Sequence, residues 1–298
     1  MKKQLLLVYN PGAGSQKINH QLKNIQWLSE NEGFSVTCVD LGEFTAINSL
    51  IIGCSAIVVA GGDGSVNIVV NRLLSEDIAD PPPLAILPWG TANDLYRQIY
   101  RKRTAADILA VIKKGNTTRF DIGRVNSHYF VNVAAAGMFT DVAYLTPGPA
   151  KKLLGKPAYY LHALGKLLTY RSFKLNIQTE CNYLEEKVLL FSVLNGSQAG
   201  GLFTVAPGAT LDDGKLHLIA LKEGLSIFQY MKVLYRAMRG ISLDLAGIIY
   251  LTAKNLDLEF PAGRLSIIDG EQGPLPPLKI DLLPARLSFF IPEQYPDR

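Results

Sequence analysis

The sequence predicts an α/β protein: an open, mostly parallel sheet in the first part of the chain, then a second, mostly β, sandwich-like domain. Up to about Phe120, short apolar runs alternate with stretches of helical periodicity, which implies parallel strands joined by crossover helices. Beyond Phe120, short β-rich runs follow one another with turn residues between them, as in a sandwich or mixed sheet. Glycine-rich turns stand behind the early strands, at the sheet edge where open α/β folds bind ligands. The domains are expected at 1–125 and 126–298, with the last residues, from about Pro284, returning to pack on the first domain.

The elements follow in order. Leu5 to Tyr9 reads as the first strand, stopped by Asn10-Pro11-Gly12. Lys2 and Lys3 imitate the start of a signal peptide, but the apolar run behind them ends too early for one. Ile18 to Asn31 places Ile18, Leu22, Ile25 and Leu28 on one helical face, and Ser35 to Val39 returns as a strand. Ala56 to Ala60 is a third strand and Val66 to Leu74 a helix; Leu84 to Leu87 is a fourth strand behind the breaker Pro81-Pro82-Pro83. The later runs are Asp121 to Val125, His128 to Ala134, Ser172 to Thr179, Lys187 to Leu194, Lys215 to Leu221, Leu256 to Phe260, Arg264 to Ile268 and Leu287 to Ile291. Helical patterns at Ala158 to Tyr170 and Ser226 to Met238 interrupt them, and Thr146 to Pro157 reads as a connection.

Composition narrows the function. With 298 residues, 48% of them hydrophobic, the chain is globular and can bury sizeable cores. No stretch reaches the roughly eighteen apolar residues a membrane span needs, so a soluble, cytoplasmic protein is expected. Cys38, Cys54 and Cys181 lack metal or redox spacing, which fits buried thiols in a reducing compartment. No HExxH, CxxC or GxSxG pattern occurs, so zinc hydrolysis and serine-triad chemistry have no support. A net charge of +4 is too weak and dispersed to argue for nucleic acid, yet compatible with an anionic membrane surface.

Three loops behind strands carry the chemistry: Asn10 to Lys17, Gly61 to Asn67 and Gly90 to Asp94. Each joins glycine or small residues to hydroxyl or amide side chains and opens a helix. Glycine lets backbone approach a ligand, and N–H groups at a helix start bind anions. Neither GxGxxG nor GxxxxGK[ST] is present. Tight turns account for the glycines but not for Asp63, Asn67, Thr91, Asn93 and Asp94, and three such loops on one sheet edge suggest a polyphosphate. Asp63 would repel a bare polyphosphate, so Mg²⁺ or a network of donors should stand between them.

NPGAG at 10–14, GGDGSVN at 61–67 and GTANDLYR at 90–97 resemble, in that order, the catalytic domain of bacterial diacylglycerol kinases and related lipid kinases. That domain is shared with sphingosine kinases and distantly similar to NAD kinases. The likeness continues through VNVAAAGMFTDV at 131–142, AGGLFTVAPGATLDDGKLHLIAL at 199–221 and IDGEQG at 268–273. The resemblance implies an NAD kinase-like first domain. In it Asn10, Pro11, Gly12, Ala13 and Gly14, with Gly61, Gly62, Asp63, Gly64, Ser65, Val66 and Asn67, hold the phosphates of ATP. Thr91 would add a hydroxyl, and Ser65 keeps one where threonine is usual. A threonine common after the second strand is replaced by Asp40-Leu41-Gly42.

The resemblance further implies a structural Mg²⁺ at Asp213 with the carbonyls of Thr210 and Lys215, a hard cation on oxygen ligands. Without metal the same Asp-Gly pair is a hairpin turn. It makes Glu271 the general base for an attacking hydroxyl, with Asp269 supporting the site or a catalytic Mg²⁺ and Asp63 a third catalytic carboxylate. In isolation, Asp269-Gly270-Glu271 is a solvated turn.

The expected enzyme is an ATP-dependent lipid kinase, a phosphotransferase acting on the hydroxyl of a diacylglycerol-like acceptor, with ATP in the interdomain cleft. Two rivals stay open: a kinase of NAD or another small metabolite, and a non-catalytic lipid-binding protein on the same fold. The expected partners are ATP, a lipid with a free hydroxyl and a transiently contacted membrane, with no nucleic acid and with a homodimer left open. Arg101-Lys102-Arg103 and Lys151 to Lys156, with Leu153 and Leu154, are the candidates for contact with the inner face of the membrane.

Overall fold

β1 (Lys3–Tyr9) is buried from Leu5 to Val8 and runs parallel to its two neighbours, β2 (Phe34–Asp40) and β3 (Ala56–Gly61). β4 (Leu84–Pro88) continues the sheet beside β3 in the same direction, in the order β2-β1-β3-β4. Strands covered on both faces read as unbroken apolar runs, hence LLLV, AIVVA and LAIL. The structure is a computed structural model describing residues 2–12, 18–44, 50–51, 53–76, 78, 80–138, 170–201 and 203–295. The patterns at 146–157 and 158–169 lie outside them.

α1 (Ile18–Asn31) turns Leu22, Ile25 and Leu28 onto this sheet, and α2 (Asp63–Ser75) buries Val66, Val69, Val70 and Leu73. α2 begins at Asp63, ahead of the expected Val66, so the whole GDGS turn is its first turn. α3 (Asp94–Tyr100) follows the third loop. α4 (Ala105–Lys114) was not expected, although its signals are present: a reciprocal Thr104–Asp107 capping box and Gly115 in the left-handed region.

The rest of the chain pairs antiparallel, except that the end of β17 (Leu278–Phe290) lies parallel to β4 at Phe289 and Leu84 and so joins the two parts of the sheet. β5 (Thr117–Val125) and β6 (His128–Phe130) form a hairpin; β7 (Val133–Gly137), β8 (Phe173–Thr179) and β9 (Tyr183–Leu194) follow, with β9 pairing both others. A short pair, β10 (Gln198–Ala199) and β11 (Phe203–Thr204), precedes β12 (Leu216–Lys222), which lies against β9. After α5 (Ile227–Arg239) come β13 (Ile248–Ala253), paired with β12, and β14 (Asn255–Glu259), paired with β8. β15 (Ser266–Ile268) and β16 (Glu271–Gln272) make a tight hairpin beside β7, and β17 (Leu278–Phe290) closes the chain. Phe173, Phe191 and Phe260 meet in the core of this domain.

Four expectations need correction. His128 to Ala134 is not one strand: between β6 and β7 the N–H groups of Val131, Asn132 and Val133 turn to the Asp269 carboxylate. β17 starts at Leu278 rather than Leu287 and is broken at Leu283–Leu287, where Ala285 has φ 48° and donates to Asp121. Before this break Leu278, Ile280 and Leu282 belong to the second core; after it Leu287, Phe289 and Phe290 belong to the first. β13 was not expected, although IIYLTA is rich in β-branched and aromatic residues and its burial alternates from Ile249 to Ala253. Cys181 is exposed in the turn after β8, not buried, while Cys38 and Cys54 are half-buried.

Candidate active site

Glycine packs the three loops into one surface. A Cβ on Gly61 would overlap the Ser65 side chain, and one on Gly90 would overlap the Cα of Gly62, so the second and third loops touch backbone to backbone. Asn10 donates from Nδ2 to Ser65 Oγ at 3.2 Å, and its Oδ1 accepts the N–H of Gly12 at 2.9 Å. Gly62 caps α2 with no side chain, so no cap side chain covers the helix's first N–H groups at the positive end of the dipole. Pro11, Gly12 and Thr91 are exposed around this point; Ala13 and Gly14 lie outside the described residues.

Asp63, in the first turn of α2, is not left bare among these donors. Its Oδ1 accepts the N–H of Leu95 at 3.0 Å and so caps α3 from across the loop. The helix needs it, because Asn93, at its N-cap in the left-handed region, spends its own amide on Gly90. Val66 is buried in α2, as is the side chain of Asn67, which donates to Tyr129 O at 2.8 Å and Asp269 Oδ2 at 2.9 Å and accepts from Asn71. Asn67 therefore joins the two halves of the protein through its amide group.

Asp269 and Glu271 sit on the β15–β16 hairpin, whose two central residues, Asp269 and Gly270, have φ 48° and 94°. A two-residue hairpin with a type I′ turn asks for that, and Asp-Gly is among its preferred pairs. Asp269 is buried, not solvated. Its Oδ1 accepts from Asn132 and Val133 and its Oδ2 from Val131 and Asn67, so both oxygens are used. Burial raises its pKa to about 6 against these four donors. These four hydrogen bonds hold the hairpin in place. Glu271, exposed, is carried across to α2: a Cβ on Gly64 would stand 2.5 Å from its Oε1.

α3 is tied to the β-rich domain as well. Asp94 accepts the N–H of Gly201 at 2.6 Å, Arg97 donates to the Gly201 carbonyl, and Gln98 bridges Ser197 N–H and Asn132 Oδ1. Burial, then the nearby charge of Asp63, raises the pKa of Asp94 to about 6.

The loop before β12 closes on Asp213. Its Oδ1 accepts the N–H of Lys215 at 3.0 Å; its Oδ2 accepts that of Thr210 at 3.3 Å and lies 2.9 Å from His217 Nε2. Burial works against ionisation here, but the hydrogen bond and charge of His217 and the two N–H groups hold this carboxyl below its ordinary value. Buried Asp121 accepts the N–H of Gly214, and His217 reaches Tyr250 through Nδ1. Among the described residues no cluster of three His, Cys, Asp or Glu side chains is spaced for a metal ion.

The structure thus brings Asn10, Gly12, Gly61, Gly62, Asp63, Gly64, Ser65 and Glu271 together, and keeps Thr210, Asp213 and Lys215 in a separate loop. Gln98, Asn71, Asp121 and His217 were not anticipated. Gln98 and Asp121 act on partners 99 and 93 residues away, for which no local signal exists.

Comparison with known proteins agrees over nearly the whole chain. Residues 4–125 match the diacylglycerol kinase catalytic domain, and residues 132–291 match the YegS C-terminal NAD kinase beta sandwich-like domain. A diacylglycerol kinase of Staphylococcus aureus (strain bovine RF122 / ET3-1) is 29% identical over 297 residues, covering 98% of this chain and 93% of its own length. One from Staphylococcus epidermidis (strain ATCC 12228 / FDA PCI 1200) is 28% identical over 298 residues with the same coverage. In fold, a diacylglycerol kinase structure from Bacillus anthracis strain Sterne superposes with a TM-score of 0.80 at 24% identity over 98% of both chains.

Proposed function

Because the chain belongs to the diacylglycerol kinase family, we propose that it transfers the γ-phosphate of ATP to the hydroxyl of a diacylglycerol-like lipid, with Glu271 as general base. One observation carries this reading: an exposed carboxylate from the β-rich domain is lodged against Gly64, in the first turn of a helix whose N-terminus has no side-chain cap. The phosphates lie on the N–H groups of Gly62 to Ser65 and on the Asn10–Gly12 turn, with the hydroxyl of Thr91 beside them. Ser65 Oγ accepts from Asn10 and keeps its own proton to donate. As the acceptor oxygen forms its bond to the γ-phosphorus, the bond to the ADP oxygen breaks and the hydroxyl proton passes to Glu271. Asp63 orders the cleft by capping α3, and Asp269 fixes the hairpin that carries Glu271.

Mg²⁺ bound with ATP supplies charge neutralisation at the phosphate oxygens. A second Mg²⁺ suits the 210–215 loop in donor chemistry: an ionised Asp213 carboxylate with the carbonyls of Thr210 and Lys215. Its role is to brace that loop. Mg²⁺ at about a hundred times its Kd should then raise the melting temperature of the wild type, worth about 2.7 kcal/mol, and leave Asp213→Asn unmoved. The protein works at the inner face of the membrane, where its acceptor is dissolved.

Labelled ATP offered with a panel of diacylglycerols and with NAD tests the main reading. Transfer to a diacylglycerol is expected, and Glu271→Gln should lower kcat about 100-fold or more. A variant as fast as the wild type removes Glu271 from the chemistry. Transfer to NAD alone makes the protein a metabolite kinase, and transfer to nothing makes it a lipid-binding protein.

A further inference from the structure

α5 buries Tyr230 and Ala237 against the β-rich domain and exposes large apolar side chains on its other face. Phe228 is 79% exposed, Met231 51%, Tyr235 57% and Met238 49%. Steps of three and four residues put all four on one stripe. Monomeric proteins seldom leave such a stripe in water without a partner for it. The helix contains no acid, whereas Lys232 and Arg239 are exposed and Arg236 is half-buried along it.

We propose that this face of α5 is the surface on which the protein docks to an anionic lipid bilayer. Aromatic and methionine side chains flanked by lysine and arginine make an interfacial helix: the apolar stripe enters the acyl boundary and the cations meet anionic headgroups. A second copy of the chain fits less well, since a symmetric contact would set two acid-free, basic helices against each other. The surface also connects to the cleft. Gly240, at the C-terminal cap of α5, lies over Thr204 in β11, and Gly201, just ahead of β11, packs on Ala92 of the third glycine loop and bonds to Asp94. The proposal rests on the lipid-kinase reading, for which a docked α5 holds the cleft beside a membrane-dissolved acceptor.

Co-sedimentation with phosphatidylcholine vesicles, with and without phosphatidylglycerol, tests it on three proteins: wild type, Phe228→Ser/Met231→Ser and Lys232→Glu/Arg239→Glu. The wild type should bind only the vesicles containing phosphatidylglycerol, and both variants should bind at least about tenfold more weakly. All three should phosphorylate a short-chain, water-soluble diacylglycerol at the same rate. Binding that is unchanged in both variants, or equal on neutral vesicles, overturns the surface, as does a dimer that light scattering shows the variants to have lost. Loss of transfer to the soluble acceptor with vesicle binding intact overturns the kinase reading instead.

Discussion

At Gly64 the missing β-carbon leaves room for the Glu271 carboxylate, and the atom it would meet is the far end of a flexible side chain. Gly64→Ala should therefore relax by turning Glu271 away, not by straining the backbone. Alanine is also favoured over glycine in a helix by up to about 1 kcal/mol. Activity and stability should part: kcat falls while the melting temperature holds or rises, and an unchanged kcat would mean that Glu271 need not sit here. Asp94 makes a pH prediction. Its folded pKa of about 6 lies above its ordinary value of 3.8, so between those values the folded protein holds a proton that the unfolded chain has released. Its contribution to stability is full at low pH and lost as pH rises through that window, on the order of 3 kcal/mol. Asp94→Asn keeps an oxygen for the Gly201 N–H and should lessen the fall of the urea midpoint between pH 4 and pH 6 (about the span of the two pKa values), the remainder coming from Asp269, which is raised over the same window.

The loops and the helices they open behave differently under the same substitution. A Cβ on Gly90 meets the backbone of Gly62, which cannot rotate aside, so Gly90→Ala should push the second and third loops apart. The expected cost is about 1–3 kcal/mol by chemical denaturation, together with weaker ATP binding. α3 shows why these loops act together: its missing side-chain cap is supplied by Asp63 from α2, so the start of one helix depends on the loop of another. β17 plays the corresponding part in the β-rich domain. Its break at Ala285, held by Asp121, lets one strand serve both cores.

For the molecule as a whole, two polar fastenings join the halves, Asn67 to Asp269 and α3 to the 197–201 segment. Asn67→Ala leaves the Tyr129 carbonyl and the Asp269 carboxylate each short of a donor, although Asn71 still reaches Tyr129. Stability should fall by about 1–3 kcal/mol. Because the Asp269 hairpin carries Glu271, kcat should fall with little change in KM for ATP. Steady-state kinetics decide this: a change confined to KM would return Asn67 to the phosphates.

What the sequence determined by itself was whatever local physics writes into neighbouring residues. Doubly covered parallel strands appear as unbroken apolar runs, α1 as a helical period, and the turns behind the strands as glycines with hydroxyl and amide side chains. Motif order was enough to indicate the family. The tertiary structure alone decided how the polar residues of those motifs are used. Asn67 and Asp269 look alike in sequence to a phosphate donor and a solvated turn, and only a hydrogen bond across 202 residues makes them a buried pair. The same holds for Asp63 as a cap on α3, and for β17, whose apolar residues do not say which of two cores each will enter. Periodicity records that a side chain is buried or turned outward. It carries no record of the partner, because a hydrogen bond is specified by position in space, and distant positions are joined only when the chain has folded.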